Sequence, residues 1–132
     1  MYRSSHFRSV MALLALALAA TLAFASSPAS KRCITVLYPS GPDAKFDFAY
    51  YQSHHIPLIM RLYGKGVAKM ELRRTVANKD GSPVAYIAVI NIWVGSDKLF
   101  DDAGAKHAQE LIDDVPNFTN MRPVILNGEI VN

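Results

Sequence analysis

The sequence predicts an α+β domain with the element order βαββαβ, and three observations predict it. Residues 33–38, CITVLY, form a short β-branched and apolar run. Two stretches, 46–64 and 96–114, repeat apolar residues at helical spacing, and 84–94, VAYIAVINIWV, is apolar on both parities, as a strand covered on both faces must be.

Taken in order, the first strand at 33–38 is stopped by the turn-forming PSGPD at 39–43. Asp47 then caps a helix, with Phe46 and Tyr51 placed to staple its entry, and Phe48, Tyr51, His55, Leu58 and Leu62 recur on one side. Pro57 has no N–H to offer and crowds the preceding turn, so a break is expected at His55-Ile56, followed by a second short helix that ends at Gly64. Residues 66–78 read as an edge strand, with Lys69, Glu71 and Arg73 alternating against Met70, Leu72 and Arg74. KDGSP at 79–83 turns the chain into the central strand, 84–94. Ser96 caps a second helix running to about Asp114, with Leu99, Phe100, Ala103, His107, Ala108, Leu111 and Ile112 as its stripe. Residues 122–131 form the last strand, with Pro123 at its start, where a missing donor is tolerated.

This order is that of a split, ferredoxin-like unit: a four-stranded antiparallel sheet with both helices on one face. The other face is left bare. A central strand apolar on both sides cannot leave that face in water, so a homodimer through sheet faces is expected.

The chain has 132 residues, 51% of them hydrophobic and 19% charged, with a net charge of +3. One small domain is the limit, and disorder is excluded. Residues 1–25 have the marks of a signal peptide: Arg3 and Arg8 without an acid, the apolar run 10–25, and Ala23-Phe24-Ala25 before Ser26. Cleavage after Ala25 is expected, leaving a linker at 26–32 and a domain at 33–132 that is secreted or periplasmic, with no membrane association once the signal is removed. Retention of the segment as an uncleaved anchor is the alternative. Removing Arg3 and Arg8 takes away two of the three excess positive charges, and no basic stripe with interleaved aromatics remains, so no nucleic-acid partner is expected. Cys33 is the single cysteine, so no internal disulfide can form, and it reads as a small buried hydrophobe.

The runs ITVLYP (34–39), FDFAYYQSHHIPL (46–58), DVPNFTN (114–120) and RPVILNGEI (122–130) resemble the EthD family, named for ethyl tert-butyl ether degradation. The resemblance spans nearly all of residues 26–132. It implies the dimeric α+β barrel, in which two ferredoxin-like subunits pack sheet against sheet, and a role accessory to oxidative degradation. Similar barrels include cofactor-independent oxygenases, isomerases, decarboxylases and haem-handling enzymes, and a fold does not choose among them. An amino-terminal signal departs from a family that is mostly cytoplasmic.

The residues themselves offer one strong candidate. His55 matches the family's histidine and lies on the side of the helix shared by Phe48 and Tyr51, where an imidazole could shuttle a proton. The alternative is that His55 satisfies the Ser53 carbonyl freed by Pro57 and fixes a kink. Tyr51 is a second candidate catalytic residue, able to orient or protonate a bound oxygen. Asn91 and Trp93 share one face of the central strand, and Arg74 interrupts the apolar side of its own, so these three are the candidate substrate-binding residues. His107 falls within the second helix's stripe and reads as a core or interface imidazole. No metal is expected: His54 and His55 are adjacent and diverge, and no HxH, HxxxH or CxxC spacing occurs. A single histidine ligand to haem stays open. No catalytic triad, paired-carboxylate or glycine-rich phosphate pattern occurs either. The expectation is therefore an exported homodimer, each subunit holding a small apolar or aromatic molecule, with no cofactor and with His55 as acid or base. A non-catalytic binding or accessory protein is the alternative.

Overall fold

The computed structural model describes residues 29–131, so the expected signal peptide and the start of the linker lie outside the described residues. The sheet has four antiparallel strands, β1 (Arg32–Pro39), β2 (Val67–Arg74), β3 (Tyr86–Val94) and β4 (Val124–Glu129), in the order β2-β3-β1-β4. This is the expected ferredoxin-like α+β fold. β2 stops at Arg74 rather than at 78, and β3 and β4 are shorter than their apolar runs. Pairing ends where the chain turns away, whatever the hydropathy beyond.

The first helical segment is continuous. A single α-helical turn, α1 (Phe48–Tyr50), is capped by the Asp47 carboxylate, which accepts from the Tyr50 amide at 2.9 Å. A π-helical turn follows over Tyr51–His55, and α2 (Ile56–Tyr63) continues from it to Gly64. The break expected at His55-Ile56 does not occur. Ile56 keeps helical angles (φ −60°, ψ −50°) and donates to Tyr51, five residues back, so one widened turn accommodates the ring of Pro57. α3 (Asp97–Asp114) begins at Ser96, as its cap predicts.

Register assigns the two faces of the sheet. Ile34, Val36 and Tyr38 of β1 stand beside Ile92, Ile90 and Ala88 of β3. With Tyr51, Ile59, Val67, Val94 and Phe118 these form the core beneath the helices. Cys33, Thr35 and Leu37 point the other way, beside Trp93, Asn91 and Val89, and no helix or strand among the described residues packs over them. β3 is thus fully buried on one parity and half-buried on the other.

The start of α3 is set by two backbone approaches. Gly95 donates to the Gly66 carbonyl at 2.9 Å, and a Cβ on Gly95 would lie 2.6 Å from the Lys65 carbonyl oxygen. One on Gly66 would lie 2.9 Å from the Phe100 amide nitrogen. Both obstacles are backbone. Gly95→Ala is expected to cost on the order of 1 to 3 kcal/mol in urea unfolding, the range for overpacking a closed contact; an unchanged midpoint would contradict the tight joint.

Candidate functional site

The π-helical turn sets the direction of its side chains. It turns both Tyr51 and His55 inward, where they are 2% and 5% exposed, with ring centroids 4.9 Å apart. From the other side comes the end of α3 and its 3₁₀ turn, Val115–Asn117. His55 donates from Nδ1 to Asp114 Oδ2 at 2.7 Å, while Tyr50 Oη and Asn117 Nδ2 donate to Asp114 Oδ1 at 2.7 and 2.9 Å. Phe118 closes the cluster, 4.6 Å from the His55 ring and edge-on to Tyr51 at 4.9 Å. Its carbonyl accepts from the Asp47 amide at 2.7 Å, which ties this turn to the start of the first helix.

His55 therefore does not bond the Ser53 carbonyl, and the kink-fixing alternative is corrected: its partner is Asp114, 59 residues away. Since a carboxylate can only accept, Nδ1 carries the proton and Nε2 carries the lone pair. No described protein group bonds Nε2, and His55 lines a cavity of about 360 Å³. Tyr38 and Tyr51 line the same cavity, their hydroxyls also without a protein partner among the described residues. Apart from Tyr63 and Asn127 the rest of its wall is apolar, with Val36, Ile59, Ile92 and Leu111, and Ile112 and Ile125 stand at its rim, each 58% exposed. This volume lies within the usual range for small-molecule pockets.

Burial lowers the His55 pKa below the ordinary 6.5, outweighing the pull of Asp114 in the other direction. Burial alone would raise the Asp114 carboxyl, but hydrogen bonds from Asn117, His55 and Tyr50 together hold it below its ordinary 3.8. Burial also pushes the Tyr38 phenol up to about 12 and the Tyr51 phenol higher still. At neutral pH the site thus holds a neutral imidazole, a carboxylate behind it and two protonated phenols. The unfolded chain takes up a proton at His55 more readily than the folded one, so stability is lost as pH falls below about 6.5 and the loss levels off once folded His55 is charged. Asp114 adds a second loss below about 3.8, where the unfolded carboxyl binds protons first. Urea unfolding from pH 8 to 3 is expected to show both, and His55→Gln to remove the first; a chain that gains stability between pH 7 and 5 would contradict the assignment.

The candidate substrate-binding residues do not line this cavity. Asn91 and Trp93 fall on the odd parity of β3 and face the open side of the sheet, because Ala88, Ile90, Ile92 and Val94 take the buried side. There Asn91 Oδ1 accepts from Thr35 Oγ1 at 2.8 Å, and Lys69 Nζ lies 4.6 Å over the Trp93 ring. Arg74 is on the helix side but at the far end of β2, exposed, with its guanidinium stacked 4.2 Å over Phe48. His54 is exposed and bonded to Ser53, and His107 is half-buried, 3.8 Å from Glu110. Among the described residues no group of three histidine, cysteine, aspartate or glutamate side chains is placed to hold a metal ion. The residues missed by the sequence reading are Asp114, Phe118 and Asn127, the last a polar side chain on the cavity side of β4.

A crystal structure of an EthD-like protein from Ralstonia eutropha JMP134 superimposes on the chain with a TM-score of 0.73 at 28% identity, over 79% of this chain and 95% of that one. The chain has the EthD fold. An ethyl tert-butyl ether degradation family protein from Bacillus halodurans C-125, at 15% identity and a TM-score of 0.50, covers 74% of the chain and 96% of its own, and shares the fold. No family model and no curated protein matches the sequence. Within the EthD fold two of the four sequence runs that carried the resemblance, 46–58 and 114–120, meet at one site. The first supplies Tyr51 and His55, and the second supplies Asp114, Asn117 and Phe118. Fold and cavity together support a small-molecule-binding protein of this fold.

Proposed function

We propose that this protein binds a small, uncharged apolar or aromatic molecule between its helices and its sheet and transfers a proton on it, with His55 as the base and Tyr51 as the oxygen-binding group. The observation that carries this is the His55–Asp114 pair, which leaves Nε2 unprotonated at the wall of an apolar cavity. On a carbonyl compound, Nε2 takes a proton from the adjacent carbon: the C–H bond breaks, an N–H bond forms, and the electron pair moves onto the carbonyl oxygen. The Tyr51 hydroxyl donates a hydrogen bond to that oxygen as it becomes negative, and Asp114 holds the imidazolium through Nδ1. Return of the proton to another atom completes an isomerisation.

Incubation of the protein with 4-hydroxyphenylacetone in D₂O, followed by NMR, is expected to show catalysed exchange of the α-protons, slowed by about a hundredfold or more in His55→Gln. Equal rates in the two proteins would remove the base and leave the non-catalytic binding reading. The open sheet face supports a further part of the proposal: the working unit is a homodimer joined through that face. The domain acts outside the cytoplasm after loss of residues 1–25, which the mass of the exported chain, starting at Ser26, would test.

A further inference from the structure

We infer that the molecule held in this cavity is an elongated, uncharged rod with a polar group at each end; the inference rests on reading the cavity as a small-molecule site. Two independent measures give its length. Along β1 the wall runs from Tyr38 to Ile34, four residues at about 3.3 Å each, or about 13 Å. Along the helix it runs from His55 to Tyr63, eight residues at about 1.5 Å each, or about 12 Å.

The polar groups gather at the two ends. One pole holds His55, Tyr38 and Tyr51. At the other, Asn127 stands beside Ile34 in the β1–β4 register, and its amide has no hydrogen-bond partner among the described residues. An amide offers a donor and an acceptor, so it can hold either a hydroxyl or a carbonyl oxygen. Val36, with Ile125 beside it on β4, lines the stretch between. Tyr63, which also lines the cavity, has its hydroxyl 3.5 Å from where a Cβ on Gly104 of α3 would stand. No lysine or arginine lines the cavity and the carboxylate of Asp114 backs its inner pole, so an anionic group at that pole would be buried without a counter-charge.

Calorimetric titration with three probes tests this: 4,4′-dihydroxybiphenyl, 4-hydroxybiphenyl and 4′-hydroxybiphenyl-4-carboxylate. The diol is expected to bind about tenfold more tightly than the mono-ol, one added hydrogen bond, and the carboxylate more weakly than the diol. Asn127→Leu is expected to bring the diol to the affinity of the mono-ol while leaving the mono-ol unchanged. Equal affinities, or tightest binding of the carboxylate, would overturn the two-pole rod and leave the His55 reading standing. Diol binding unaltered by Val36→Phe, which would fill the middle of the cavity, would put the probe elsewhere and overturn both.

Discussion

Asp114→Asn is expected to lower proton transfer by on the order of a thousandfold or more while the protein stays folded. The amide keeps the size of the carboxylate, but it replaces one of two acceptor oxygens with a donor. Either His55 Nδ1 or the pair formed by Tyr50 and Asn117 then meets an N–H instead of an oxygen. If the imidazole adapts by moving its proton to Nε2, the lone pair leaves the cavity and the base is lost; an altered tautomer has that order of effect where a histidine–aspartate pair works in acyl transfer. Asp114→Ala should do more harm to the fold. It strips the acceptor from three donors at once, one of them on the buried His55, and is expected to cost on the order of 3 kcal/mol in urea unfolding. Comparing the two variants separates roles. If Asp114→Asn keeps the full exchange rate of the wild-type protein, Asp114 is a structural acceptor and not the group that sets the tautomer.

Much of this arrangement is legible in the sequence, and the limits have physical causes. Asp47, Phe46 and Ser96 announce their helices because capping and stapling are local, needing only residues three or four apart. His55 is legible as an inward imidazole for the same reason. Its partner is not, since 59 residues separate His55 from Asp114 and nothing in periodicity says which loop returns to which helix. One signal is nevertheless present. A carboxylate at the last position of an 18-residue helix opposes the helix dipole, an unfavourable placement unless donors surround it. Asp114 has three.

Pro57 shows the opposite failure. The rule that proline breaks a helix is right about the missing donor, but it does not include the option of widening the preceding turn. Tyr51 and His55 still share the inward face, as residues four apart do on an ordinary helix, while the backbone takes up the extra width. Asn91 and Trp93 do share a face, but it is the open one and not the cavity side. An 11-residue run apolar on both parities carries no information about which parity meets the helices; only pairing with Ile34, Val36 and Tyr38 decides it.

That open side carries the other large expected effect. If the proposed sheet-face dimer forms, Leu37→Glu is expected to convert it into a monomer without unfolding it, weakening association by at least about a hundredfold. Leu37 lies beside Val89 on β3 and Val124 on β4, in a face where Val124 and Leu126 are 41% and 50% exposed and β3 adds Ile87 and Trp93. In a single chain the new carboxylate reaches water, since Leu37 is only half-buried and no helix among the described residues covers it, so folding should tolerate it. In a two-fold pairing of the same faces, each subunit brings its own introduced carboxylate to the interface, where the nearest cation of the same row, Arg73 beside Val89, is already engaged by Glu71 at 3.4 Å. The Thr35–Asn91 hydrogen bond gives the face an internally satisfied polar pair, which is how a polar group is kept in a buried sheet surface. Sedimentation of the wild-type and variant domains at micromolar concentration reads the result directly. A wild-type monomer would leave this apolar face needing another partner, and a Leu37→Glu dimer would place the contact elsewhere. The His55 site is built wholly within one chain, so proton exchange in a monomeric Leu37→Glu variant should continue. Loss of exchange on dissociation would mean that the cavity depends on the second subunit for its shape.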